Sequence, residues 1–267
     1  MSRIMSRRRL PLTSLGRVYL GAVLLFLYVP ILVMAVMSFN ASQLYRLPIE
    51  WSGVWYERLA GNAKLIDAGL NSLAVALVTT VIASALGTLA AIAFFRYDFR
   101  GKKLLQILLF PPIAIPWLII GTSMLIFFFW IGIGRGLHAM VLGHVALAQP
   151  YVIIVVSARL RAFDPHLEEA ARSLGASQWQ TLRYVTLPFL APGVIAAALF
   201  AFAVSFDQFV ISYFLAVPGV STLPVEIYTA IRKGFTPEIN AISTIIICLS
   251  MAVLLGVARF YKFGGER

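Results

Sequence analysis

The sequence predicts an all-α integral membrane protein with six transmembrane helices, and three observations carry that prediction. First, 60% of the residues are hydrophobic and 12% charged, against roughly 45–50% and about 25% in soluble domains. Second, six apolar runs are long enough to cross a bilayer at about 1.5 Å per helical residue. Third, lysines and arginines gather on alternate connecting segments, so the formal charge of +11 reads as a positive-inside bias and not as a nucleic-acid surface. No soluble domain, low-complexity tract or internal repeat interrupts this pattern.

Taken in order, residues 1–16 are basic, with Arg3, Arg7, Arg8 and Arg9. A signal peptide has a short apolar core and a small-residue cleavage site. The run at 18–39 is longer and reads as an uncleaved first span, kinked at Pro30. In the mixed loop at 40–68, Trp51, Trp55 and Tyr56 read as interfacial anchors. The second span, 70–95, carries Ser72, Thr79, Thr80, Ser84, Gly87 and Thr88, small or hydroxyl residues that let membrane helices approach and bond across. A basic turn at 96–103 follows. The third span, 104–132, contains Pro111, Pro112 and Pro116, which break it into a pre-helix and a spanning helix.

After a glycine-rich turn, the fourth span runs 137–158 with Pro150 inside. A polar knuckle fills 159–188, the fifth span 189–212, an outer segment 213–239 and the sixth span 240–260, closed by Lys262 and Arg267. With the N-terminus cytoplasmic, the inner segments hold sixteen lysines and arginines and the outer segments six. Both termini and the knuckle are therefore expected on the cytoplasmic side.

The knuckle is the most polar stretch of the second half. Asp164 is suited to cap a helix and Pro165 to open it. Glu168 and Glu169 fall in the first turn, where the helix dipole favours carboxylates. Leu167, Ala170, Ala171 and Leu174 recur at i, i+3, i+4, i+7 as one apolar stripe. Gly175 supplies a left-handed stop, and Ser177 with Gln180 reads as a capping box opening a second short helix that Pro188 bounds. The small residues Ala170, Ala171 and Gly175 keep the bend low, so that another backbone can come close. A rigid cytoplasmic knuckle of this kind is built to dock something.

Reactive chemistry is scarce. No segment fits G-x-x-x-x-G-K-[ST], since Gly101-Lys102-Lys103 lacks the earlier glycine and the hydroxyl residue. No HExxH or CxxC occurs, and His138, His144 and His166 have no ligand spacing. The chain is thus expected to be no enzyme and to bind no cofactor of its own. His144 reads as a hydrogen-bonding helix contact in preference to a proton relay. The single Cys248 excludes an intrachain disulfide. Asp207 stands within the fifth span, where a carboxylate costs roughly 2.5 kcal/mol or more. Two readings of it stay open: a cation contact along a translocation path, shared with Gln208 and Ser205, or a structural pair or cap near the outer interface.

Glu169-Ala170-Ala171, Gly175 and Val185-Thr186-Leu187-Pro188 resemble the "EAA" loop of binding-protein-dependent ABC import permeases, with Val185 where isoleucine is usual. Asn71-Ser72-Leu73, Arg96-Tyr97, His144-Val145-Ala146-Leu147 and Pro150-Tyr151 resemble the type I (MetI-like) permease core. The resemblance implies a permease core at 66–262 with the coupling loop at 164–188, an N-terminal segment at 1–65 and a cytoplasmic tail at 263–267. It also implies a sister permease subunit, two ABC ATPase subunits that hold ATP and magnesium, an extracytoplasmic solute-binding protein and a place in the bacterial cytoplasmic membrane. In such permeases the loop seats in a groove of the ATPase. That role passes here to Glu168, Glu169, Ala170, Ala171, Leu174 and Gly175.

Segments 205–209, 222–228 and 237–241 resemble the second permease subunit of spermidine/putrescine importers, which implies a polyamine solute met by Asp207, Gln208 and Glu226. Gln208 replaces a glutamate common there, and the same subfamily includes permeases for opines and other amino-acid derivatives. An autonomous secondary transporter and a membrane-bound sensor are the competing classes; the knuckle argues against the first, and absence of solute flux would mark the second.

Overall fold

The computed structural model describes residues 14–43, 46–234 and 237–264, with only the backbone for 14–15 and 253–264. The arginines Arg3, Arg7, Arg8 and Arg9 and the tail residue Arg267 lie outside the described residues, as do the side chains of Arg259 and Lys262. The described residues are almost wholly helical. They divide into two compact units, one made of residues up to Asn62 and from Ala230 onward, the other of Ala63–Thr229.

In the first unit, α1 (Ser14–Met37) is a 24-residue apolar helix containing Pro30. Helix α2 (Val54–Gly61) is amphipathic. The loop between them is held by backbone bonds from Ala41 N–H to Glu50 O at 2.8 Å and from Ser52 N–H to Phe39 O at 2.8 Å. Of the expected interfacial aromatics only Trp51 is exposed. Trp55 is 2% exposed and its indole N–H donates to Asn40 O at 2.6 Å, while the Tyr56 hydroxyl meets Ser38 Oγ at 2.7 Å. Trp55 is therefore a core residue and not a membrane anchor. An indole whose N–H finds a buried carbonyl loses nothing by leaving the interface.

The second unit is built on three helices. Helix α3 (Ala63–Arg96) has 34 residues and begins seven residues before the predicted span. The predicted proline break follows it: α4 (Lys102–Leu108) and α5 (Pro111–Ala114) lead to α6 (Trp117–Trp130), with Pro111 and Pro112 opening α5 and Pro116 capping α6. The chain bends by 111° between Lys102–Ala114 and Trp117–Trp130. Helix α7 (Leu137–Leu160) runs unbroken through Pro150. The knuckle holds α8 (His166–Ser173) and α9 (Gln178–Thr181).

Here the structure departs from the sequence reading. Pro188 does not end the second knuckle helix. A π-turn at Leu182–Thr186, in which Leu187 N–H donates to Leu182 O, carries α9 directly into α10 (Leu187–Phe206). The wider turn gives room to the Pro188 ring, which in an α-turn would collide with the carbonyl four residues back. Helix α10 also stops earlier than predicted, at Phe206 instead of 212, and a short α11 (Val210–Leu215) follows. Next come α12 (Leu223–Lys233) and α13 (Glu238–Gly264), the latter belonging with α1 and α2.

Among the described residues, Gly16–Met37, Ala63–Arg96, Leu137–Leu160 and Gln178–Phe206 are each long and apolar enough to cross a membrane, and the bent pair makes a fifth if it is one span. The core of the second unit is a seam between α3, α7 and α10, formed by Ala83, Ala91, Ala148, Val152, Val156 and Ala197 among others. Alanines supply five of its eleven buried residues, and such small side chains suit membrane helices, which gain little from excluding water and must gain from close contact. A second cluster joins Met140 and Leu147 of α7 to Phe128 of α6 and Ile211 and Leu215 of α11.

Candidate functional site

Local hydrogen bonding explains the shape of the knuckle. The Asp164 carboxylate accepts the His166 N–H at 3.0 Å, which opens α8 one residue later than the sequence reading has it. Gly175 has φ +90°. Its N–H donates to Arg172 O at 2.9 Å and the Ala176 N–H donates to Ala171 O at 3.1 Å. This is the paired closure that a left-handed residue makes at a helix end. The capping box then starts α9: Ser177 N–H donates to Gln180 Oε1 at 2.7 Å and Gln180 N–H to Ser177 Oγ at 3.3 Å.

Helix α8 buries none of its residues within this chain. Most of its predicted apolar stripe is open: Leu174 is 89% exposed and Leu167 is also exposed, with Ala170 and Gly175 beside them, while Ala171 is half-buried. The side chain of Glu169 is 71% exposed and meets His166 Nδ1 at 3.1 Å. That hydrogen bond, with the charges of Asp164 and Glu169, raises the His166 imidazole above its ordinary 6.5.

Glu168 does not share this surface. Its side chain is 13% exposed and is paired with Arg96 at the end of α3. Glu168 Oε1 also accepts the Thr186 hydroxyl at 2.5 Å, Arg96 donates to Thr186 Oγ1 at 2.8 Å, and Arg172 lies 3.6 Å from the other carboxylate oxygen. Sequence reasoning placed Arg96 among the basic residues at the helix ends and in the resemblance to the permease core, without a partner. The signal that pointed further was its position in the last turn of a long span beside a polar knuckle.

The three residues expected near the solute separate into different settings. Asp207 is the C-cap of α10, with φ −88° and ψ 1°. It is exposed at the break between α10 and α11 and not inside a continuous span. Gln208 is buried; its Oε1 accepts Val210 N–H at 3.1 Å, which caps α11. Its Nε2 has no hydrogen-bond partner among the described residues. Glu226 is buried in the first turn of α12 and pairs with Lys64 at 2.5 Å and with the Ser221 hydroxyl. The carboxylate that sequence reading offered to a solute is therefore already engaged by α3. Nearby, Asn71 Nδ2 donates to Ser221 O at 3.1 Å and Leu223 N–H to Ser72 Oγ at 2.8 Å, so α3 fixes the entry to α12.

His144 explains how the α10–α11 break is held. Its Nδ1 lies 2.8 Å from Ser205 Oγ and its Nε2 3.0 Å from Ser212 Oγ. One buried ring on α7 thus bridges the two sides of the break, as a neutral imidazole with one donor and one acceptor allows. Phe209, Tyr213 and Tyr228 pack against one another, with ring centroids 5.4 Å apart for Phe209–Tyr213, 4.7 Å for Phe209–Tyr228 and 5.8 Å for Tyr213–Tyr228.

The second unit is thus a helical core with helices long and apolar enough to cross a membrane, carrying an exposed, locally hydrogen-bonded knuckle. The chain belongs to the family described as "Binding-protein-dependent transport system inner membrane component", whose model matches residues 83–264. It is therefore a permease component of an inner-membrane transport system.

Among its relatives is the spermidine/putrescine transport system permease protein PotC of Escherichia coli (strain K12). That protein is 35% identical over 240 residues, covering 89% of this chain and 90% of the relative. The putrescine transport system permease protein PotI of the same organism is 37% identical over 229 residues, covering 83% and 82%. Of solved structures, a bacterial ABC transporter involved in the import of alginate superimposes with TM-score 0.75 at 17% identity, covering 97% of this chain and all of that chain (100%). An inward-facing MetNI methionine ABC transporter gives 0.59 at 20% identity, covering 73% and 92%. These two likenesses establish the fold.

Proposed function

We propose that this chain is one of two permease subunits of an ATP-driven importer of polyamines or closely related small organic amines. In this reading it crosses the bacterial inner membrane six times with both termini cytoplasmic, α13 being the sixth crossing. It has no nucleotide site; two ABC ATPase subunits bind ATP and magnesium, a sister permease completes the pathway, and an extracytoplasmic protein delivers the solute. The observation that carries the reading is the open face of α8. Leu167, Glu169, Ala170, Leu174 and Gly175 stand clear of the rest of the chain on a helix fixed at both ends by its own hydrogen bonds. Such a surface is suited to a groove in a partner, and a rigid helix transmits displacement without absorbing it. The identity to two polyamine permeases supports the solute class.

Alternating access then follows mechanically. Closure of the ATPases on ATP moves the docked α8, and the α3–α7–α10 seam carries that motion to the pathway. At its far end, the exposed Asp207 carboxylate attracts an alkylammonium group, and the rings of Phe209, Tyr213 and Tyr228 offer faces for cation–π contact or for stacked methylenes. Glu226, held by Lys64 and Ser221, sets the position of α12 in place of meeting the solute directly.

A second reading of the solute rests on Gln208. Its carbonyl already accepts the Val210 N–H while its buried Nε2 has no partner among the described residues, so the unmet group is a donor, which suits an acceptor such as a carboxylate better than an ammonium. This favours amino-acid derivatives carrying both charges. The test is uptake of labelled putrescine or spermidine into proteoliposomes holding the four-subunit complex and its binding protein, with the other amines as competitors. ATP-dependent uptake blocked by polyamines and untouched by amino-acid derivatives is expected. Block by amino-acid derivatives alone transfers the assignment to the second class, and uptake that needs no ATP refutes the importer reading.

A further inference from the structure

We propose that Arg96, Glu168 and Thr186 form a latch that ties α8 to both α3 and α10, so that displacement of the docking helix moves two spanning helices together. Arg96, in the last turn of α3, donates to both the Glu168 carboxylate of α8 and Thr186 Oγ1. Thr186, in the π-turn at the root of α10, donates its own proton to the same carboxylate oxygen at 2.5 Å. One Arg96 nitrogen and the Thr186 hydroxyl both donate within the group, and the three side chains close a triangle. The side chains of Arg96 and Glu168 are 19% and 13% exposed and Thr186 is buried, so the charges are little screened by water and hold their geometry. The residues lie 72 and 18 positions apart from Glu168 in sequence. The latch is therefore a tertiary device and not a helix cap.

The π-turn gives the arrangement its point. A bulged turn interrupts the helix between α9 and α10, where a push on the knuckle would otherwise be lost in bending. The latch bypasses the bulge by tying Thr186 straight to α8. Arg96 carries the same displacement to α3, which packs along α7 and α10. Arg96, Glu168 and Thr186 are positioning residues: they act through the helices they join and touch neither nucleotide nor solute. Glu168 is thereby moved from the partner-facing surface, where sequence reading put it, to the inner side of the knuckle. The inference rests on α8 being the helix that the ATPase moves.

Two measurements test it. In full-length chain with Cys248→Ser, spin labels at Tyr97→Cys and Leu174→Cys report the distance between the end of α3 and the knuckle. The distribution is expected to broaden in Arg96→Gln and in Glu168→Gln and to narrow again in Arg96→Lys. In the reconstituted complex, each Gln variant is expected to assemble and hydrolyse ATP while moving at least about fivefold less solute per ATP, the lower end of ordinary coupling between sites.

The double variant is expected to be no worse than the worse single, because both remove one interaction. Arg96→Lys is expected to recover most of the coupling. An unchanged distance distribution overturns the latch. So does a normal solute-to-ATP ratio in assembled variant complexes, which reduces the triangle to a fastening. If the unmodified complex shows no ATP-dependent uptake, the importer reading fails and the distance measurement alone decides the latch.

Discussion

Among the described glycines Gly87 has the tightest surroundings, and one methyl group tests them. A Cβ built on Gly87 of α3 would lie 2.5 Å from Val152 Cγ1 and 2.8 Å from Val152 Cβ, on α7. Val152 is fully buried and has nowhere to swing. Gly87→Ala therefore forces the two helices apart, and overpacking of this kind costs about 1–3 kcal/mol. Against that, alanine gains up to about 1 kcal/mol in helix propensity over glycine, so the net loss is about 0–2 kcal/mol. Gly69, on the same helix, meets nothing within 4 Å of a built Cβ. Gly69→Ala collects the propensity gain without the collision.

The difference between the two variants cancels propensity and isolates the contact, at about 1–3 kcal/mol. Thermal unfolding of the purified chain in detergent, followed by circular dichroism, measures it. Val152→Ala in the Gly87→Ala background is expected to return part of the loss, since it removes the nearer of the two struck atoms, Cγ1, and leaves only Cβ. A Gly87→Ala variant as stable as Gly69→Ala would refute the claim that this seam is set by close contact.

Other consequences follow from the polar groups. His144→Ala leaves the hydroxyls of Ser205 and Ser212 without their shared partner; the expected loss lies between about 0.6 kcal/mol, the average for bonds between membrane helices, and about 3 kcal/mol for a fully orphaned pair. Hydrogen exchange at 207–210 should rise in the same variant, and unchanged protection there would remove His144 from the α10–α11 break. The His166 imidazole, raised by the hydrogen bond to Glu169 and then by the charges of Asp164 and Glu169, is expected to titrate above 6.5 in an NMR measurement and to fall back toward it in Glu169→Gln. Because its folded value is raised, whatever stability this exposed pair lends is full below the ordinary value and is lost as pH rises through the folded one. An unshifted midpoint would sever the pair.

What could be read from the sequence was local. Gly175, Ser177 and Gln180 are legible because their hydrogen bonds close within a few residues, and Pro111, Pro112 and Pro116 because three prolines within six residues leave too few backbone donors for one continuous helix. The burial of Trp55 and the pairing of Glu226 with Lys64 were not legible: an aromatic or a charge near a helix end looks the same whether it meets water, lipid or a distant partner. The Arg96–Glu168 pair hid for the same reason. The π-turn before Pro188 was missed because the proline rule forecasts an end to the helix, and here the chain widens one turn and continues. Asp207 stood in an apolar run that composition could not divide, and the division at 207–209 depends on His144, more than sixty residues earlier.

The central claim is that α8 faces the cytoplasm and is covered by an ATPase subunit. With Cys248→Ser to remove the sole cysteine, Leu174→Cys places a thiol at a position of the knuckle that is 89% exposed. Labelling with a membrane-impermeant maleimide tests both parts of the claim at once. The account predicts reaction in inverted membrane vesicles stripped of ATPase, protection when the ATPase subunits are added back, and none in intact spheroplasts. Labelling from the outer face, or equal labelling with and without the ATPase, would contradict it.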